Sequence, residues 1–158
     1  MQKKKQKLNI AEGAVLLGIV IFIICIMSAN SSADVPISVI EQKMTEQEGL
    51  SDMFRQDAAS VKSVYGIVPS EFMYYKTDAV MDVRELFIAR ASGADEMDAI
   101  ESAAAEHISG QIDAFTGYGP DQVALLEHSV SMKKGDYFFL AVGDHAEQWQ
   151  EAFIKLIG

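Results

Sequence analysis

Lys134-Gly135-Asp136-Tyr137-Phe138-Phe139-Leu140-Ala141-Val142 is the stretch on which the architecture turns. From Tyr137 to Val142 no side chain carries a charge and none alternates with a polar neighbour. A strand with one wetted face alternates, so an unbroken apolar run of strand length predicts a central strand covered on both faces. Just upstream, Ser129-Val130-Ser131-Met132 does alternate and predicts a half-buried strand. Lys133 to Asp136, with Gly135, supplies the turn between the two. Downstream, Asp144 and Glu147 have capping-box spacing, and Ala146, Trp149, Phe153 and Leu156 predict the inner face of a closing helix.

The same reading extends towards the N-terminus. Met97, Ile100, Ala104, Ile108, Ile112 and Phe115 recur at steps of three and four, which predicts the longest amphipathic helix of the domain. Ser92-Gly93-Ala94-Asp95 reads as its capping box and Gly117 as its stop. Gly110 costs up to ~1 kcal/mol relative to alanine in a helix interior, so close packing is expected there. After Pro120, Asp121 to Leu126 fits a short helix. Arg84 to Arg90 and Phe72 to Lys76 predict strands, the former with Leu86 and Ile88 on one face and Phe87 and Ala89 on the other. Leu50, Phe54, Ala58, Val61 and Tyr65 share a helical face that Ser51 or Asp52 would cap and Gly66 would end. Pro36 opens an earlier helix through Ile37, Ile40 and Met44, closed by Gly49. The expected order is α-α-β-β-α-β-β-α: an α+β domain with a small antiparallel sheet of about four strands covered by helices.

Ahead of this domain, Ile10 to Ala29 is nearly continuous in apolar residues, with Glu12 its only charge. Twenty helical residues rise about 30 Å, the hydrocarbon thickness of a bilayer. Lys3, Lys4, Lys5 and Lys7 precede the run, which puts the N-terminus in the cytoplasm and the rest outside. The expectation is one transmembrane signal anchor in residues 1–33 and an extracytoplasmic domain in residues 34–158, located at the cell membrane. Ser31-Ser32-Ala33 offers a cleavage site as the alternative. Cys25 is a poor lipidation site, because Phe22-Ile23-Ile24 replace the small residues that chemistry needs.

After residue 33 the chain keeps nine basic and twenty-two acidic residues, a net charge of −13. That charge repels phosphate backbones and disfavours nucleic-acid binding. Cys25 is the sole cysteine, so the domain has no disulfide to form. Each histidine follows an acid, in Glu106-His107, Glu127-His128 and Asp144-His145. Neighbours on a helix point apart, so none of these is a ready dyad, and metalloprotease spacing is absent. Ser131-Met132-Lys133-Lys134 has the Ser-x-x-Lys form, yet it falls on a strand rather than opening a helix. No catalytic, cofactor or metal set emerges. Tyr118, in Gly117-Tyr118-Gly119-Pro120, is the one candidate partner contact, since a constrained loop holds it.

Phe115-Thr116-Gly117-Tyr118-Gly119-Pro120-Asp121-Gln122 with Leu125-Leu126-Glu127, together with Lys134 to Phe139, Tyr65-Gly66-Ile67 and Glu85-Leu86-Phe87-Ile88-Ala89, resembles domain of unknown function 4358. That family comprises exported or membrane-attached proteins of Firmicutes. The resemblance implies an exported location and an unassigned role, and it brings no catalytic residues. The expected function is a non-catalytic, membrane-anchored domain of the bacterial cell envelope that binds a protein or envelope ligand. The alternatives are an envelope hydrolase or metal-assisted enzyme using His107, His128 or His145, and an accessory subunit of a membrane complex.

Overall fold

The computed structural model describes Ser32–Gly158. The expected anchor Ile10–Ala29 and Cys25 lie outside the described residues. Among the described residues no helix is long and apolar enough to cross a membrane.

The elements run α1 (Ile37–Met44), β1 (Phe54–Arg55), α2 (Ala58–Tyr65), β2 (Glu71–Lys76), β3 (Glu85–Arg90), α3 (Ala94–Phe115), α4 (Pro120–Glu127), β4 (Val130–Lys134), β5 (Tyr137–Val142) and α5 (Ala146–Ile157). The strands form one antiparallel sheet of order β1-β2-β3-β5-β4. The α+β expectation holds, with five strands in place of about four.

β3 and β5 pair at the middle of the sheet, and all of β5 is buried. Their side chains divide by parity. Leu86, Ile88, Phe139 and Ala141 face α1 and α5, where Ile40, Met44, Trp149 and Phe153 complete the packing. Phe87, Ala89, Phe138 and Leu140 face α2 and α3, against Val61, Tyr65, Ile100 and Ala104. The apolar run in β5 is therefore the shared floor of two cores. Fully buried residues such as Phe87, Ile88 and Phe139 each stabilise the fold by about 1.5–3 kcal/mol.

The largest departure falls in the segment from Leu50 to Tyr65, expected as one helix. Only Ala58–Tyr65 is helical, and Asp57 caps it by accepting from the Ser60 N–H at 2.8 Å. Phe54 and Arg55 instead pair with Lys76 and Tyr75 as the edge strand β1. The Gln56 N–H donates to the Tyr74 carbonyl at 2.7 Å, and Arg55 meets Glu41 of α1 at 2.6 Å. These tertiary bonds satisfy a backbone that a helix would have satisfied locally, and Phe54 is left 57% exposed.

Three local expectations also change. At α3 the capping carboxylate is Glu96 rather than Asp95; it accepts from the backbone and hydroxyl of Ser92 and of Ser70. Those bonds hold its carboxyl down at about 2. Asp144 makes no cap at α5, where His145 takes the N-cap position without a side-chain bond. Gly110 marks no close contact, since an added methyl would meet nothing within 4 Å.

Candidate functional site

The three histidines are not gathered. His145 rests near Trp149 in the α1/α5 layer, with Nδ1 3.1 Å from Gln148 Oε1. His128 ends α4 with Nδ1 on its own helix, 2.7 Å from the Ala124 carbonyl. His107 alone reaches a carboxylate. Its partner is Glu85, at 2.8 Å, not the adjacent Glu106.

Glu85 is the unexpected residue of the fold. It opens β3 in phase with Phe87 and Ala89, so its side chain turns into the α2/α3 core, where it is only 3% exposed. Tyr74 donates to its Oε2 at 2.8 Å, and Tyr65 donates to the same oxygen at 3.3 Å. His107 Nε2 stands at Oε1. The Tyr65 ring stacks on Phe87, centroids 4.5 Å apart, and lies 4.9 Å from the His107 ring. Burial first, and the Glu85 charge second, push both tyrosine hydroxyls well above their ordinary range, so both remain donors. No polar side-chain atom buried among the described residues lacks a partner. The carboxylate is thus fully hydrogen-bonded within one helix–helix–sheet junction.

A cleft of about 350 Å³ opens beside this network. Lys76, the cross-strand partner of Glu85, lines it, as does Gln111, one helical turn beyond His107. Phe115, Gln56 and the β2–β3 loop from Thr77 to Val83 complete the walls. Three contacts fix the loop: Arg84 pairs with Asp82 at 2.6 Å and Asp52 at 3.0 Å, and the Val83 N–H donates to Gln122 Oε1 at 3.1 Å. The loop tip presents Val80, 95% exposed, and the exposed Met81 to solvent. Tyr118, 61% exposed, tilts over Phe115 with centroids 5.5 Å apart. The structure therefore sets the sequence-predicted Tyr118 against Phe115, a residue of the cleft wall.

The cleft and the start of the domain occupy opposite ends of the strands. Ser32 packs on Gly135, where a methyl group would strike its side chain. The Ala33 N–H donates to the Ile157 carbonyl, Asp34 meets Arg90 at 2.6 Å, and Tyr137 Oη bonds both the N–H and the carbonyl of Val35. Arg90 and Tyr137 share one end row of the sheet, and Lys76, Glu85 and Val142 share the other. Five residue rises along β3, from Glu85 to Arg90, separate the rows, about 17 Å.

Two further features complete the surface. Ser131 and Lys134 lie an odd number of residues apart on β4 and so point to opposite faces, which separates the Ser-x-x-Lys pair. A second concavity, about 410 Å³, runs between α3 and the β4–β5 hairpin over Phe138 and Leu140. Among the described residues no group of three or more His, Cys, Asp or Glu side chains is placed to hold a metal ion.

Glu85 carried one sequence signal: an acid at the inward parity of an otherwise apolar strand. Its partners could not be read that way, because they lie 11, 20 and 22 residues distant in the chain.

The family model described as Domain of unknown function (DUF4358) matches residues 42–143, and the chain belongs to that family. No curated protein and no solved structure matches it.

Proposed function

We propose that this family member is a non-catalytic binding domain, held at the cell membrane by Ile10–Ala29 and exposed outside, that engages a protein or envelope ligand with the end of the sheet opposite Ser32. One observation carries this reading: a cleft at the opposite end of the strands from Ser32 has exposed Val80 in its wall, with exposed Met81 next to Val80 in the chain and exposed Tyr118 against its Phe115. Exposed apolar side chains around a concavity are the usual anchors of such contacts. The Gly117 and Gly119 flanks hold Tyr118 in place: Gly117 adopts φ +95°, and a Cβ at Gly119 would lie 2.7 Å from the Phe115 ring. A rigid aromatic loses little conformational entropy when it is covered.

The test is photocrosslinking in intact membranes from positions 80 and 118, with position 39 on α1 as the control. A shared adduct from the two cleft positions and none from the control is expected. No adduct at either position, or the same adduct from the control, overturns the reading.

A hydrolase is the second reading, favoured by the 2.8 Å contact between His107 and Glu85 beside the cleft. Full biological activity of a folded His107→Gln variant would remove it.

A further inference from the structure

β4 offers a second surface, distinct from the cleft and independent of the binding role proposed for it. In register, Ser131 stands beside Leu140 and Lys133 beside Phe138. The two partners on β5 are buried, yet Ser131 and Lys133 are exposed. α3 therefore covers β5 and stops short of β4, and the uncovered strip is the 410 Å³ groove. Its floor is Phe138 and Leu140, and its wall is Ala104, Ile108 and Ile112. Ser131 is too small to close it.

On its outer side β4 ends the sheet, so alternate N–H and C=O groups of Val130–Lys134 point where the described residues place no strand. Its other face packs through Val130 and Met132 onto the α1/α5 core, which holds the edge firm. An unpaired edge next to an apolar groove is the arrangement that receives an added strand.

We propose that the β4 edge and the α3 groove form one receptor for an extended polypeptide segment. Its backbone pairs with β4 as a sixth strand, and its long apolar side chains lean across Ser131 onto Phe138 and Leu140. Charge selects the occupant. The domain's −13 opposes both a second copy and a strongly acidic segment. β4 itself ends in Lys133, paired with Glu101 at 2.6 Å, and Lys134. A largely uncharged segment with one acid at that end complements both features.

The full chain in lipid nanodiscs is titrated with a short fluorescent peptide of alternating leucine and threonine ending in one aspartate, and amide hydrogen exchange is read on the complex. Saturable binding is expected, with the exchange of outward-facing β4 amides slowed about tenfold. Ser131→Leu, which fills the groove, weakens binding about tenfold, whereas Ser131→Ala does not. A peptide N-methylated on alternate amides cannot donate to the edge and fails to bind, a control that leaves the protein unaltered. The proposal is overturned by absent binding, by protection elsewhere than β4, by undiminished binding of the methylated peptide or of folded Ser131→Leu, or by β4 protection that rises with protein concentration alone, which assigns the edge to a second copy.

Discussion

Replacing Tyr74 by phenylalanine tests the buried network by the sign of its effect as well as its size. In the intact protein the substitution removes a 2.8 Å bond from a hydroxyl to the Glu85 carboxylate and leaves the ring in place. A hydrogen bond to a charged group is worth about 1.5–3 kcal/mol, so a loss of about 2 kcal/mol is expected. Tyr65 reaches the same oxygen at 3.3 Å, beyond the favoured O–H···O range, and Tyr65→Phe should cost less, roughly 1 kcal/mol or below. Glu85→Ala is the severe change. It strands two buried hydroxyls and an imidazole, each costing about 1–2 kcal/mol, for a total near 4 kcal/mol. In that background Tyr74→Phe reverses sign and stabilises by about 1 kcal/mol, because it deletes an orphaned donor. Urea unfolding followed by Trp149 fluorescence measures all four variants; this sole tryptophan is buried on the opposite face and reports global unfolding. The network account fails if Tyr65→Phe costs more than Tyr74→Phe, or if Tyr74→Phe destabilises the Glu85→Ala protein.

Other expectations follow from single contacts. Glu96 is held at about 2 against an ordinary 4.5, so its contribution is present above pH 4.5 and is lost as pH falls towards 2. It is partly exposed, which limits the effect to about 1 kcal/mol; acid titration of stability should show it in the native protein and not in Glu96→Gln. Gly110→Ala meets open space and should raise stability by about 0.5–1 kcal/mol in thermal unfolding. Gly49→Ala should lower it by about 2 kcal/mol or more in the same assay, since φ is +85° and the new methyl lies 2.5 Å from the His145 ring. Tyr137→Phe releases both bonds to Val35 and should accelerate amide exchange at Val35 while costing about 1–2 kcal/mol in urea.

Periodicity made the centre of this fold legible. β3 and β5 have apolar residues at both parities, and the long stripe of α3 can only pack against a sheet, so the sequence alone implies buried strands beneath helices. Capping chemistry was legible only in part. Gly66 ends α2 in the left-handed region as its position suggests, but Glu96 outcompetes Asp95 because it also reaches Ser70, 26 residues away in the chain. The segment around Phe54 fits a helix by spacing and is drawn into the sheet edge by Tyr74 and Glu41. Local pattern could not register that competition. The exposed loop setting of Tyr118 was readable because glycines flank it. Glu85 was passed over because an acid at the mouth of a strand ordinarily faces water, and nothing near it in sequence announces three donors.

The placement of that carboxylate links the stability of the fold to its surface. A buried charge network contributes little net stability compared with apolar side chains of the same volume. It does discriminate sharply between packings, because any misplacement leaves a charge and several donors unpaired. Here the discriminated elements are specific: Tyr65 brings the end of α2, Tyr74 the register of β2, and His107 the middle of α3 onto the first residue of β3. Glu85 opposes Lys76 and Val142, so a slip of β3 by two residues would pull the carboxylate away from all three partners at once. The cleft walls are continuations of those same elements, through Lys76 at the end of β2 and Thr77 just after it, Val83 from the approach to β3, and Gln111 and Phe115 from α3. The network thereby anchors the elements from which those walls continue, and Val83 packs with Phe115 in a third buried cluster beneath them. On the proposed reading of the cleft, Tyr65→Phe or Tyr74→Phe should lower the photocrosslinking yield from position 118 even though the rim residues themselves are unchanged; an unchanged yield would separate the network from the cleft.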